Sequence, residues 1–215
     1  MKCLILANGD YGDLEKYSKD IMKADVVLCA DGGANYAYLL NIVPDYIIGD
    51  MDSINSKVKD FFLEKEVGFK KFPKKKDFTD IQLVVSLAED LGANRILFLG
   101  TQGKRLDHTL SSIYSSMGAS INAKEVTHYS PDCTVHIVSN HLKLAGNIGD
   151  IVSVLALTDE VNGLSHWGLE YPLDNVQLQK SNPYAISNIL IANEAEIQIA
   201  HGIIAVLHYH DIAEI

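Results

Sequence analysis

Residues 26–35 read VVLCADGGAN and decide the fold of the first half of the chain. The apolar run predicts a buried strand, and the Asp-Gly-Gly that follows predicts a tight turn into a helix. Apolar runs alternate with amphipathic stretches on both sides of this segment, which is typical of a mostly parallel sheet flanked by helices. The predicted strands are residues 2–7, 26–30, 46–48, 69–72, 95–99 and 125–129, and the predicted helices are residues 14–22, 34–41, 56–64, 79–91 and 106–120.

The pattern changes after about residue 130. Short β-rich runs at residues 134–138, 151–157, 197–200 and 203–207 are separated by Gly, Asn, Asp and Pro, and no long helical period remains. We therefore expect an α/β domain over residues 1–130 and an all-β sandwich or barrel domain over residues 131–215. The strands of the second domain leave edges that need protection, and dimerisation is one way of covering them.

Composition narrows the class of protein. The chain has 215 residues, 47% hydrophobic content and a formal net charge of −10. Such acidity argues against a nucleic-acid binder, and the basic run at residues 74–76 is expected to be a solvated loop. Three cysteines without paired spacing suit a reducing compartment, and the apolar start is too short for a signal peptide or a membrane span. We expect a cytoplasmic protein with neither a nucleic-acid nor a membrane partner.

Two aspartates follow the third predicted strand. Asp50 and Asp52, in the string GDMDS, are one residue apart in an extended segment and project to the same side. Such a pair opposes its own ionisation unless a cation or hydrogen-bond donors compensate. The alternatives are solvated turn residues, or a cap on the next helix from Asp52 or Ser53. We favour a metal site because Gly49 precedes the pair at a strand end.

A second acidic pair opens the predicted helix 79–91. Asp77 and Asp80, in the string DFTD, are three residues apart at the helix start. Capping explains this spacing well, since Asp77 can accept backbone N–H bonds while Asp80 complements the helix dipole. Yet both acidic pairs fall on the same predicted edge of the sheet, where ligands of open α/β sheets bind. Because carboxylates alone repel a polyphosphate, the collection indicates divalent cations between the protein and a nucleotide.

Other residues offer weaker signals. Arg105 can clamp a phosphate or simply pair with Asp107 on the surface. Trp167 and Tyr171 can stack on a flat cationic ring, or pack in the β-domain core or at an interface. His208 and His210 alternate on the last predicted strand, but we expect surface residues at a strand end there, because the sequence offers no third ligand for zinc.

In this order and spacing, the acidic strings resemble the thiamine pyrophosphokinase family. The matching strings are DGGAN (31–35), GDMDS (49–53), the Asp-x-Thr-Asp of residues 77–80 and RLDH (105–108). GLEYPL (168–173) and the pair Ser187-Asn188 resemble the thiamine-side motifs of the family. This chain departs from the family pattern with Ile189 after that pair, with Ser112 after the RLDH helix start and with the additional aromatic Trp167.

The resemblance implies a function and a set of roles. It implies transfer of the pyrophosphoryl group of ATP to the hydroxyl of thiamine, an N-terminal ATP/Mg²⁺ domain, a thiamine-binding β domain, and a homodimer with active sites between subunits. Other interpretations are a Mg²⁺-dependent kinase or pyrophosphokinase for another small alcohol, and a non-catalytic nucleotide or thiamine sensor. The implied residues are Asp50, Asp52, Asp77 and Asp80 for Mg²⁺ and catalysis; Asp31, Gly32, Gly33, Asn35, Thr101, Gln102, Gly103 and Arg105 for ATP; and Asp107, His108, Trp167, Tyr171, Ser187 and Asn188 for thiamine.

Overall fold

The computed structural model describes residues 1–19, 22–73, 77–122 and 125–210, so the basic run at residues 74–76 lies outside the described residues. The chain divides into two compact units, Met1–Ser130 and Pro131–Ile215. None of the described helices combines the length and the apolar character that a membrane span requires.

The first unit contains a sheet in which the described pairings are all parallel. Its strands lie in the order β6-β5-β1-β2-β3-β4, so the chain runs outward from β1 in both directions. The expected parallel sheet is confirmed. A reversal of strand order opens a crevice at the carboxyl ends of the strands, which is where such sheets bind ligands. The strands are β1 (Lys2–Leu6), β2 (Val26–Ala30), β3 (Tyr46–Gly49), β4 (Gly68–Lys71), β5 (Arg95–Leu99) and β6 (Glu125–Tyr129).

Four α-helices connect these strands. Buried apolar side chains on one face help to explain why α2 and α3 form, and in α3 these are Val84, Val85 and Ala88. The α-helix predicted at residues 14–22 is wrong, because only a 3₁₀ helix at Leu14–Lys16 is described there. Its C-cap, Tyr17, is buried and its hydroxyl donates to the Tyr11 carbonyl at 3.1 Å, so this segment packs as an irregular turn. The helices are α1 (Gly33–Leu39), α2 (Ser56–Glu64), α3 (Asp80–Asp90) and α4 (Leu106–Asn122).

The second unit is a β-sandwich of two antiparallel sheets, as expected. One sheet has the order β12-β9-β14-β7 and the other β11-β10-β13-β8. Their inner faces share one buried core, to which Val206 of the first sheet and Leu164 of the second belong. Polar residues in β10 and β11 kept these strands out of the sequence prediction. The strands are β7 (Cys133–Val138), β8 (His141–Ala145), β9 (Ile151–Ala156), β10 (Glu160–Trp167), β11 (Leu173–Gln179), β12 (Asn188–Ile189), β13 (Glu194–Gln198) and β14 (Ile204–Tyr209).

Candidate active site at the carboxyl edge of the parallel sheet

Three carboxylates converge where β2 and β3 end. Asp31 follows β2, while Asp50 and Asp52 follow β3, and one oxygen from each lies within 4.8 Å of the other two. We call Asp31, Asp50 and Asp52 the carboxylate group. Sequence reasoning placed Asp50 and Asp52 together but assigned Asp31 to ATP. Parallel pairing of β2 with β3 is what adds Asp31 to the acidic pair.

Asp31 is held in an unusual environment. It is buried and its φ of 42° is in the left-handed region, so the surrounding structure imposes its conformation. Burial raises the pKa of its carboxyl, and the charges of Asp80 and Asp50 raise that pKa further, against hydrogen bonds from Ser53 and the Gly32 amide. Its Oδ1 atom has no hydrogen-bond partner among the residues that the structure describes. A buried, unpartnered oxygen in an anionic group fits a cation ligand.

Hydrogen bonds within the loop after β3, and from Asn35 to this loop, fix its conformation. The Asp52 amide donates to Asp50 Oδ1 at 3.1 Å, and the Ser53 hydroxyl donates to Asp52 Oδ1 at 3.1 Å. Across the loop, Asn35 Nδ2 donates to the Ser53 carbonyl at 2.9 Å, and Asn35 Oδ1 accepts the Asn55 amide at 3.0 Å. Asn35, which the resemblance assigned to ATP, therefore uses both ends of its side-chain amide to position the carboxylate loop.

Asp80 lies beside the carboxylate group. A Cβ atom added to Gly49 would lie 3.2 Å from Asp80 Oδ1 and 2.9 Å from Asp31 Cβ, so Gly49 fits between the two aspartates. With a φ of 151°, Gly49 also has a backbone conformation that other residues rarely adopt. The glycine of GDMDS thus allows the first turn of α3 to approach the end of β2.

The start of α3 decides which residue caps this helix. Thr79 is the N-cap: its hydroxyl accepts the Gln82 amide at 3.2 Å, and Gln82 Oε1 accepts the Thr79 amide at 2.8 Å. This reciprocal pair is a capping box. The alternative that Asp77 caps the helix is therefore wrong, and its proposed place in the metal site stays a prediction. Asp77 is exposed and lies outside the carboxylate group.

Close packing explains the glycines of DGGAN. A Cβ at Gly33 would lie 2.1 Å from the Leu6 carbonyl oxygen, and a Cβ at Gly32 would lie 2.5 Å from the Asn8 side chain. Any larger residue would push α1 away from the end of β1. Gly33 is thus required for the fold because it meets backbone, whereas at Gly32 only the Asn8 side chain would have to move.

The loop after β5 connects to a buried histidine. Thr101 Oγ1 lies 2.9 Å from His128 Nδ1, and Ser116 Oγ lies 2.9 Å from His128 Nε2. The His128 ring stacks on Phe98 at 4.4 Å, and burial lowers its pKa to about 3. The Thr101 hydroxyl, which the resemblance assigned to ATP, therefore faces this interior network. No sequence motif indicated that network, because its members lie on three different elements.

Further along this loop, the side chains lie on the surface. Arg105 pairs with Asp107 through two bonds, from Nη2 to Oδ2 at 2.6 Å and from Nε to Oδ1 at 3.2 Å. The surface pair left open by the sequence is therefore present, and the Arg105 hydrogen bond lowers the pKa of Asp107. The backbone carbonyl of Gln102 accepts the Asp10 amide at 2.9 Å, while Gly103 and His108 are exposed. Arg105, Asp107 and His108 remain accessible to a ligand.

In the second unit, Asn188 joins the two thiamine-side motifs. Its Oδ1 accepts the Tyr171 amide at 3.0 Å and its Nδ2 donates to the Tyr171 carbonyl at 2.8 Å. Ser187 has a φ of 56°, and its amide donates to Ser153 Oγ at 2.9 Å. Trp167 and Tyr171 are 46% and 65% exposed, so the alternative of core packing is wrong for both aromatics.

The structure also corrects the expectation for the last strand. His208 is only 2% exposed, and its Nε2 lies 2.8 Å from Asp150 Oδ2. Asp150 is the third potential ligand that the sequence had not revealed, because it lies 58 residues from His208 in the chain.

Comparison with known protein families decides the relationship. Residues 17–128 match the model of the thiamin pyrophosphokinase catalytic domain, and residues 133–204 match the model of the thiamin pyrophosphokinase vitamin B1 binding domain. The chain belongs to the thiamin pyrophosphokinase family. The four acidic strings all lie within the first match, and the motifs joined by Asn188 lie within the second. The family resemblance inferred from these strings is confirmed.

Individual relatives agree with this assignment. The chain is 24% identical to the thiamine pyrophosphokinase of Bacillus subtilis over 178 residues, covering 79% of this chain and 80% of that protein. It is 24% identical to thiamine pyrophosphokinase 1 of Oryza sativa over 194 residues, covering 78% of this chain and 73% of that protein. The crystal structure of the Bacillus subtilis enzyme superposes with a TM-score of 0.85 at 20% identity, covering 99% of this chain and 100% of that chain. The crystal structure of the thiamin pyrophosphokinase of Geobacillus thermodenitrificans superposes with a TM-score of 0.82 at 20% identity, covering 99% of each chain. The structural likeness establishes a shared fold.

Proposed function

We propose that this chain is a thiamine pyrophosphokinase, which transfers the pyrophosphoryl group of ATP to the hydroxyl of thiamine and yields thiamine diphosphate and AMP. The observation that carries this proposal is the carboxylate group at the ligand-binding edge of the parallel sheet, inside the region that matches the family's catalytic domain. An acidic group suits a triphosphate only when cations lie between them.

Mg²⁺ is the cation that fits these residues. Carboxylate oxygens are the ligands that Mg²⁺ prefers. The Oδ1 atom of Asp31, which has no hydrogen-bond partner among the described residues, is available as one of these ligands. We propose that Asp50 and Asp52 hold the ion, with Asp31 beside them and with Asp77 and Asp80 at the start of α3. A bound Mg²⁺ would neutralise the phosphate charge and so stabilise the attacking and leaving oxygens.

The residues of the chain itself then act by positioning. Asn35 holds the loop of Asp50 and Asp52 in one geometry, which avoids the entropic cost of ordering that loop when substrate binds. Arg105 presents an exposed guanidinium with a planar fork of donors, the geometry that phosphate groups accept. We therefore assign the DGGAN loop (31–35) and the loop after β5 (GTQGKR, 100–105) to the nucleotide.

The exposed aromatics of the second unit suit thiamine. Thiamine contains a flat, positively charged ring, and an aromatic face attracts such a cation. Asn188 fixes the backbone of Tyr171 at both its amide and its carbonyl, so this aromatic is presented on a rigid support. We assign Tyr171, Ser187 and Asn188 to thiamine, together with Trp167, and we assign Asp107 and His108 to the same substrate.

We further propose that the enzyme is a homodimer. One face of α4 carries exposed apolar residues at helical spacing, which is typical of a surface that a second subunit covers. Substituting Ile121 by Glu should therefore shift the protein from dimer to monomer in light scattering, whereas a monomeric wild-type protein would contradict the proposal. The residues of this stripe are Leu106, Leu110, Tyr114 and Ile121.

A cytoplasmic location completes the proposal. Cys3, Cys29 and Cys133 are buried thiols that form no disulfide with one another, and burial raises the pKa of Cys3 and Cys133 to about 12. Such thiols stay protonated and behave as small apolar groups, which suits a reducing compartment.

One incubation tests the reaction. Wild-type protein with ATP, Mg²⁺ and thiamine should form AMP and thiamine diphosphate in equal amounts, and omission of thiamine should stop AMP release. ADP in place of AMP would show ordinary phosphoryl transfer and overturn the proposal. AMP formed with another small alcohol but not with thiamine would favour a pyrophosphokinase of different acceptor range. Nucleotide binding without turnover would favour the sensor interpretation.

A further inference from the structure

A second group of potential metal ligands lies in the β-sandwich. Asp150, His208 and His210 each offer a ligand atom, and these three atoms lie within 4.8 Å of one another. We call these residues the histidine group. Asp150 and His208 are buried and His210 is half-buried. The group belongs to the second unit, whereas the proposed catalytic carboxylates belong to the first.

Antiparallel pairing brings these residues together. Asp150 directly precedes β9, His208 lies in β14, and His210 follows the end of β14 by one residue. His208 pairs with Val152 across the two strands. Alternate residues of a strand share a face, so Asp150 and His210 lie on the same side as this pair. The fold therefore places three potential metal ligands close together at one end of the sandwich core.

Hydrogen bonds orient each member of the group. Asp150 Oδ2 accepts the Asn147 amide at 2.9 Å and lies 2.8 Å from His208 Nε2. His210 Nε2 lies 2.7 Å from Thr134 Oγ1, which fixes the rotation of that imidazole. Metal-binding histidines commonly have such a partner on one ring nitrogen, because it sets the ring orientation. The two imidazoles lie 4.3 Å apart, between ring centres.

We propose that Asp150, His208 and His210 bind one divalent transition-metal ion of the Zn²⁺ class. Imidazole nitrogen selects Zn²⁺ and similar ions, whereas Mg²⁺ prefers a purely oxygen environment. Three protein ligands leave a fourth position of a tetrahedral ion open. The bound ion would join the start of β9 to the end of β14 and so stabilise the sandwich.

The competing interpretation is a purely structural contact between Asp150 and His208. In that case His210 would matter only through Thr134, and the group would have no measurable affinity for Zn²⁺. Metal binding by the full chain distinguishes the two interpretations, and it does so without reference to the pyrophosphokinase reaction.

The experiment is a titration of chelator-treated protein with Zn²⁺ against a chromophoric competitor. Excess Mg²⁺ is present throughout, so that the carboxylate group does not contribute. Wild-type protein should bind one equivalent of Zn²⁺, and binding should raise its Tm. His210→Ala and Asp150→Asn should weaken this binding by at least about tenfold. His201→Ala, which alters an exposed histidine of the same unit, should bind like the wild type.

Co²⁺ gives a readout that does not depend on a variant. Four-coordinate Co²⁺ with imidazole ligands absorbs visible light strongly, so the wild-type protein should become coloured after one equivalent and lose the colour when Zn²⁺ is added. Absence of Zn²⁺ binding by the wild type would overturn the proposal. Affinity that is unchanged in both His210→Ala and Asp150→Asn would overturn it as well.

Discussion

The carboxylate group and the histidine group each bring three ligands together, but they differ in chemistry and in how they arise. Asp31, Asp50 and Asp52 follow parallel strands that end at one edge, so three carboxylates meet where open α/β sheets bind their ligands. Asp150 and His208 meet across antiparallel strands inside a sandwich. In this chain, the edge of the parallel sheet therefore offers its ligands to a substrate, whereas the proposed metal site of the sandwich would stabilise the fold.

Loss of activity should be greatest when the proposed magnesium ligands of the first unit are changed, and it should be absent when the histidine group is changed. Asp52→Asn and Asp77→Asn should each lower AMP formation by about 10²–10³-fold, because each removes a charge that the Mg²⁺-nucleotide complex requires. His210→Ala should leave the rate unchanged. The measurement is the initial rate of AMP release with thiamine at saturation.

Asp60→Asn is the matched control, since Asp60 is an exposed aspartate of α2. Its rate should equal that of the wild type, and circular dichroism should show that all four variants are folded. A loss of activity in His210→Ala that equals the loss in Asp52→Asn would remove the distinction between the two groups.

The same difference decides how much the sequence could reveal. Asp50 and Asp52 are close in the chain and follow a recognisable strand, so the motif was visible, whereas Asp31 was assigned to ATP and joins the pair only through the pairing of β2 with β3. Asp150 could not be found, because nothing local distinguishes it from a turn residue and only strand pairing brings it to His208. The role of Asn35 was missed for the same reason, since its partners in the loop lie 18 and 20 residues away.

A buried histidine should make the stability of the first unit depend on pH. His128 has two hydroxyl partners, and burial lowers its pKa to about 3. The unfolded chain binds a proton at His128 as pH falls below about 6.5, and the folded protein does not until about pH 3. Stability is therefore lost as pH falls through that window, by about 2 kcal/mol between pH 7 and pH 5.

Urea unfolding at both pH values measures this loss. The described α-helices all lie in the first unit, so far-UV circular dichroism follows the unit that contains His128. His136 also has a lowered pKa and contributes to the slope, so the informative quantity is the difference between wild type and His128→Gln. Equal pH dependence in the two proteins would contradict the assignment of this effect to His128.

A smaller effect, on the KM for thiamine, should show that the exposed aromatics of the second unit contact this substrate. Tyr171→Ala should raise the KM for thiamine by about tenfold, since loss of a cation–π contact costs about 1 kcal/mol or more. The KM for ATP should not change. Tyr184→Ala is a suitable control, because Tyr184 is an exposed tyrosine outside the family motif. Equal effects of both substitutions on thiamine would show that the change is not local to the proposed site.

A last substitution pair separates a structural role at the start of α3 from a role in the proposed metal site. Thr79→Ala should lower the free energy of unfolding by about 1 kcal/mol, because it removes the hydroxyl of the capping box. Asp77→Asn should leave that free energy unchanged, since the cap is made by Thr79 and Gln82. Urea titration of both variants measures the difference. If Asp77→Asn were the more destabilising of the two, Asp77 would have a structural role at this helix, and its loss of activity would no longer argue for a place in the metal site.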